Sequence, residues 1–201
     1  MTNETMTLLN IYSENNPDQA ETVSSFDLIK KGLNEIGLDI VRWVPKNTLS
    51  PSSSNEEILE AYSKQITFIK NTRGFKGVDV ITMNEKTPRE KIPEIRAKFL
   101  KEHTHSDDEI RYFIEGSGLF VVHHKDKVYS ILCEAGDFIS VPAMTKHWFD
   151  MGSEPNFRCI RFFSEESGWI ADYTNDEIGS KFPNLDEINC SRQLLKRHAH
   201  V

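Results

Sequence analysis

Two histidines one residue apart, His103 and His105, are followed by Glu109, and a third histidine, His147, closes the stretch GDFISVPAMTKHW. These residue types at this spacing are those that bind a metal ion. An H-x-H pair alone is weak evidence, because seven histidines in 201 residues produce one in roughly a quarter of shuffled chains, whereas requiring the glutamate as well lowers the expectation to roughly 2%. In an extended segment alternate side chains share a face, so His103 and His105 point to one side and Thr104 to the other. Ser106-Asp107-Asp108 reads as a turn, after which Glu109 can return on the next strand facing the same interior. His147 can reach that cavity from a second strand. Three imidazoles and one carboxylate form a mixed N/O donor set that suits iron, nickel, manganese or zinc, and the lack of cysteine ligands argues against a structural zinc site. Four protein ligands leave two octahedral positions open, as a catalytic ion requires. The other such pair, His198 and His200 in RHAHV, has no carboxylate at the right distance and is set aside.

The elements that must position these residues show one change of texture. Residues 18–37 place Phe26, Ile29, Leu33 and Ile36 at helical spacing and end at a glycine, which predicts an amphipathic helix. A Pro/Ser-rich loop follows, and Ser54 or Asn55 can cap a second helix over residues 56–71. VDVITM reads as a short strand and PREKIPEIRAKFLKE as a helix leading into the histidines. From residue 103 the period becomes that of strands: RYFIE, GLFVVHH, KVYSILC, DFISVP, HWFDM and FRCIRFF, with a Gly-Ser-Gly turn between the first two. The expected fold is mainly β, a small barrel or jelly roll with several flanking α-helices from the N-terminal half. The chain reads as a single domain: a helical flank plus first strands over 1–98, a metal-binding barrel core over 99–174, and a C-terminal tail over 175–201.

Composition excludes some partners. The formal net charge is -7 and no basic cluster stands out, so phosphate backbones and anionic membrane surfaces would be repelled. No apolar run approaches the ~20 residues that span a bilayer, and the first residues lack the basic start of a leader. Cys133, Cys159 and Cys190, an odd number at wide spacing, read as core thiols in a reducing compartment. The expectation is a cytoplasmic protein with no nucleic-acid or membrane partner.

The pattern H-x-H-x3-E-x6-G, here His103, His105, Glu109 and Gly116, followed by G-x5-P-x4-H, here Gly136, Pro142 and His147, resembles the two cupin motifs. Ala97, Met144 and Met151 stand where glycine, glycine and asparagine are usual, which points to a subgroup. The longer stretches KFLKEHTHSDDEIRYFIEGSGLF and GDFISVPAMTKHWFDMG resemble the acireductone dioxygenase family, as do DLIKKGLNEIGLDIVRW and FRCIRFF, so most of residues 8–174 are covered. The resemblance implies one Fe(II) or Ni(II) per chain on His103, His105, Glu109 and His147. It implies that Arg111 helps generate and hold a substrate dianion, that Glu102 serves metal loading, and that Asp108 relays local conformational change. It also places Phe99, Phe149 and Trp169 around a substrate pocket. Arg161, inside the apolar strand FRCIRFF, would be costly to bury unpaired, so it needs a carboxylate partner or must face the cavity. His123 and His124, at the start of a hairpin, read as surface residues. The implied substrates are a small acireductone and O2, and the implied assembly is a monomer. Two alternatives share the ligand set: another metal cupin enzyme, such as a sugar isomerase or a different dioxygenase, and a non-catalytic ligand-binding cupin.

Overall fold

The computed structural model describes residues 7–44, 49–164 and 170–198. Its organising element is one long strand, β6 (Glu109–His124), which belongs to two sheets at once. Its first half pairs with β8 (Asp137–Val141) and β10 (Phe157–Phe163), and its second half with β7 (Lys127–Glu134) and β9 (Lys146–Asp150), all antiparallel. On the first sheet β3 (Asp39–Arg42) flanks β8 and β4 (Gly77–Met83) flanks β10. On the other, β1 (Leu8–Ser13) and β2 (Asn16–Val23) extend β7, while β5 (His103–Thr104) and β11 (Asp172–Tyr173) extend β9. The two sheets enclose the largest core cluster, which includes Phe113, Phe120, Val122, Ile131, Ile139 and Phe149. The expected fold, a mainly β cupin-type barrel with flanking helices, is the one observed.

The Gly-Ser-Gly stretch is not the turn that the sequence suggests. The strand runs through it, with Gly116 at a φ of 70°, and the register against β10 shifts just before it, where Ile114 is the extra residue between Phe113 and Glu115. A Cβ at Gly116 would collide with the Asn156 carbonyl, so only glycine fits beside this bulge. The extra residue moves the alternation by one. Up to it, Glu109, Arg111 and Phe113 face the barrel interior while Ile110, Tyr112 and Ile114 face outward; after it, Phe120 and Val122 face in while Leu119 and Val121 face out. Without the shift one half of the strand would turn its apolar residues the wrong way.

Helices close the core between the sheets and cover their outward faces. α1 (Phe26–Asn34) buries Ile29 and Leu33. It is shorter than the predicted helix, because residues 16–23 form β2, a polar edge strand whose hydrogen bonds to β1 outweigh its weak helical pattern. Gly37, at a φ of 85°, ends the segment as expected. The second predicted helix is two, α2 (Asn55–Ala61) and α3 (Ser63–Arg73), broken at Tyr62, whose hydroxyl meets that of Tyr112 at 3.1 Å under the first sheet. Ser54 is the cap: it accepts from Glu57 N at 3.2 Å, and Glu57 Oε2 accepts from Ser54 N at 2.8 Å. α4 (Ile92–Phe99) leads into β5. Within the stretch read as a tail, α5 (Leu185–His198) sets Leu185 and Ile188 against Leu119, Val121 and Trp148. Cys133 and Cys159 are buried, but Cys190 lies on an exposed side of α5, a correction to its reading as a core thiol.

Candidate metal centre

The two sheets meet at the histidines. His103 on β5 and His147 on β9 are register partners, Glu109 opens β6, and His105 lies in the link between β5 and β6. One ligand atom from each of the four lies within 4.8 Å of all the others, and all four residues are buried. Glu109 Oε2 is 3.0 Å from His105 Nε2 and 3.2 Å from His147 Nε2. The Nδ1 of His103 points at Lys101 O at 2.7 Å and that of His147 at Thr145 O at 2.8 Å. Nδ1–H donation to a carbonyl leaves Nε2 as the lone-pair atom facing the cluster, the tautomer a metal needs.

The charges agree with this. Burial, then the neighbouring His147, push the His103 imidazole down to about 4, so it is neutral at physiological pH. Burial alone would raise the Glu109 carboxyl, but Arg111, His105 and His147 together hold it well below its usual range. Three imidazoles and one carboxylate converging on a buried point suit a divalent first-row ion.

A cavity of about 620 Å³ opens beside the cluster, lined by His103, His105, Glu109, Arg111, Phe99 and Phe149 among others. Arg111 is 3% exposed; its Nε donates to Glu109 Oε1 at 2.8 Å, and its guanidinium lies 4.3 Å from the Phe149 ring centre. Phe99 meets Phe149 edge-on at 6.4 Å. Gly118 makes room for this: a Cβ there would come within 2.5 Å of the Phe149 ring. Arg161 meets both conditions set by its sequence, lining the cavity and donating to Asp79 Oδ1 and Oδ2 at 2.9 and 2.6 Å. Trp169 lies outside the described residues, as does His200.

Glu102 and Asp108 lie behind the ligands. Asp108 Oδ1 accepts from Ala143 N at 2.9 Å, and His105 O accepts from Met144 N at 2.8 Å, so the link carrying His105 is tied to the loop before His147. Met144 adopts a φ of 61°, which explains why glycine is usual there. Glu102 is 1% exposed, and its Oε2 lies 2.8 Å from His123 Nδ1. His123 is therefore not the surface residue its sequence position suggests: its side chain is 8% exposed and is held on its other side by Lys125 O at 3.0 Å. Sequence reasoning also missed Asp79, Phe163 and Tyr173, which line the cavity. For Asp79 a signal existed, since one acid inside the apolar strand VDVITM mirrors the one arginine in the middle of FRCIRFF.

A two-sheet barrel with a buried three-histidine, one-glutamate cluster at the floor of an open cavity defines a metal-binding cupin. The profile of the ARD/ARD' family matches residues 9–171. The acireductone dioxygenase of Methylococcus capsulatus is 44% identical over 182 residues, covering 90% of this chain and 97% of that protein. That of Aquifex aeolicus is 45% identical over 183 residues, 91% and 98% of the two chains. A solved acireductone dioxygenase from Bacillus anthracis, with a cadmium ion in its active centre, superposes with a TM-score of 0.72 at 29% identity and covers 84% of this chain and 98% of its own. The chain belongs to the ARD/ARD' family and is a metal-dependent dioxygenase of methionine salvage. No helix among the described residues is long and apolar enough to cross a membrane.

Proposed function

We propose that this protein cleaves 1,2-dihydroxy-3-keto-5-methylthiopentene with O2, acting as a cytoplasmic monomer with one Fe(II) or Ni(II) held by His103, His105, Glu109 and His147. In the iron form the products are 4-methylthio-2-oxobutanoate and formate; in the nickel form they are 3-(methylthio)propanoate, formate and carbon monoxide. The observation that carries the reading is the placement of Arg111 beside the donor set and against the Phe149 ring, in a cavity that Ile95, Phe99 and Phe163 also line.

An enediol has two adjacent oxygens, and its cleavage by O2 requires both to be deprotonated. The bound ion supplies Lewis acidity and a template for the two oxygens. Arg111, fixed by Glu109 Oε1 and by the Phe149 ring, places a permanent positive charge at 3% exposure, where it stabilises developing negative charge far more than it would in water. Phe99, Phe149, Ile95 and Phe163 give the methylthioethyl tail an apolar surface and exclude water from the reacting carbons. A sugar isomerase with the same ligands would need hydroxyl-binding groups where these apolar side chains lie. Arg161 completes the pocket, Glu102 serves metal loading, and Asp108 transmits movement of the His147 loop to His105.

The test is elemental analysis of the purified protein followed by oxygen uptake with the acireductone. His147→Ala is expected to lose most of its metal and all oxygen uptake while keeping its circular dichroism, since the imidazole packs against the other ligand rings of His103 and His105. Full metal occupancy in that variant would refute the four-ligand centre, and a metal-loaded wild-type protein that ignores the acireductone would refute the substrate.

A further inference from the structure

One buried carboxylate outside the metal centre gathers three parts of the chain. Asp150, at the end of β9, is 1% exposed and accepts four hydrogen bonds. Arg96 on α4 donates through Nε to Oδ1 at 2.7 Å and through Nη2 to Oδ2 at 2.9 Å. Gly152 N donates to Oδ1 at 2.9 Å, and the N–H of Leu185, where α5 begins, donates to Oδ2 at 2.8 Å. The same Nη2 of Arg96 lies 3.0 Å from Asp186 Oδ2, and Asp186 accepts from Ser153 N at 3.1 Å. The helix brought in by these contacts, α5, lies beyond residue 171, where the family match ends.

A buried ion pair that only staples elements together can generally be exchanged for apolar residues without loss. What apolar packing does not supply is a fixed angle. A two-point contact between a guanidinium and a carboxylate sets the direction of the side chain as well as its distance. Arg96 leaves α4 ~60° round the helix from Phe99, three residues on. Ile95, Lys98 and Phe99 line the cavity beside the donor set, whereas Arg96 faces a separate cleft together with Leu100, Phe182 and Asn184. Held from that side, α4 cannot turn about its own axis. With side-chain tips ~5 to 6 Å from the axis, a turn of ~10° would carry the Phe99 ring ~1 Å, a displacement large enough to matter in a reacting site. Phe99 in turn meets Phe149 edge-on, and the Arg111 guanidinium lies over the Phe149 ring.

We propose that Arg96 and Asp150 are positioning residues for the reaction, fixing the rotation of α4 and with it the place of Phe99 against the substrate tail, and that Asp186 makes the docking of α5 part of the same device. The four metal donors lie on β5, β6, β9 and the link between the first two, so the device acts on the substrate and not on the ion. This assignment rests on the acireductone reading given above.

The experiment compares metal-loaded wild-type protein with Arg96→Met, Arg96→Lys, Asp186→Asn, Phe99→Ala and the double variant of Arg96→Met with Phe99→Ala. Each is taken through elemental analysis, anaerobic spectral titration with the acireductone and oxygen-uptake kinetics. Arg96→Met is expected to keep its metal and to raise both the anaerobic Kd and KM roughly tenfold, with kcat within about threefold of wild type. Arg96→Lys, which keeps the charge without the fork, should recover part of that loss, and Asp186→Asn should raise Kd about two- to threefold. In the Phe99→Ala background Arg96→Met should add less than about twofold, because its effect passes through a ring already removed. Equal fold-changes in both backgrounds, a lower melting temperature with wild-type Kd and KM, or loss of metal from Arg96→Met would each overturn the proposal. Should Arg96→Met fail to fold, wild-type Kd in both Arg96→Lys and Asp186→Asn would overturn it equally. Wild-type protein that neither binds nor consumes the acireductone would instead refute the functional reading.

Discussion

Replacing Arg111 by methionine, which keeps the length and most of the volume, separates two effects of one side chain. Its Nε lies 2.8 Å from Glu109 Oε1, and both side chains are 3% exposed. With charge centres ~4 Å apart and an effective dielectric of ~20, the attraction is about 4 kcal/mol, in line with the roughly 3 to 5 kcal/mol lost when one partner of a buried pair is removed. Metal-free Arg111→Met should therefore be less stable than wild type by about 4 kcal/mol, a large share of the roughly 5 to 15 kcal/mol that a protein has. A bound ion compensates Glu109 instead, so in the loaded protein the loss should shrink to about 1 to 2 kcal/mol, the cation–π part from the Phe149 ring. Catalysis should behave in the opposite way: the loaded variant lacks the charge that steadies the dianion, a loss of about 2 to 4 kcal/mol or roughly 30- to 1000-fold in rate. Arg111→Lys should fall between the two, with the charge kept and the fork lost. Urea unfolding with and without metal measures the first effect, and anaerobic titration with the acireductone followed by oxygen uptake measures the second. Equal destabilisation in both metal states, or a variant that consumes oxygen at the wild-type rate, would show that Arg111 is an ordinary core cation.

Burial and the neighbouring His147 push the His103 imidazole down to about 4 in the fold, from about 6.5 in an unfolded chain. The unfolded chain therefore takes up its proton first, and the metal-free protein should lose about 3 kcal/mol as pH falls from 6.5 towards 4. His103→Asn should flatten that slope in calorimetric scans, and an unchanged slope would mean another group is responsible. Gly118→Ala should push the Phe149 ring away from Arg111, costing about 1 to 3 kcal/mol and raising KM; a lower melting temperature with unchanged KM would break that link. Met144→Gly should relieve the left-handed strain at φ 61° and, after the entropy of glycine is set against it, gain about 0.5 kcal/mol. That is a rise of one or two degrees in melting temperature, and a fall would show that the Met144 side chain contributes more than its 66% exposure suggests.

Three of the four donors were legible in the sequence because their information is local, whereas His147 comes from a strand 38 positions beyond Glu109. His103, His105 and Glu109 lie within seven residues, and the turn that returns Glu109 to the same side is encoded by Ser106-Asp107-Asp108. The Ser54 cap, the Gly37 stop and the strand texture from residue 103 are local as well, and each appears in the structure. Only the tertiary structure decided what depends on register between distant strands. Whether Gly-Ser-Gly turns the chain or lets the strand run on depends on β10 lying against β6 and on the Asn156 carbonyl that fills the place of a Cβ at Gly116. Residues 16–23 became a strand because β1 was there to pair with them. His123 reads as a hairpin residue until Glu102, 21 positions earlier, is placed against it, and Asp79 is one acid in an apolar strand until β10 brings Arg161 to it across 82 positions. A side chain's type sets which contacts it can make, but a buried charge is tolerated only where its partner arrives, and that arrival is decided by strand pairing and not by the residues next to it in the chain.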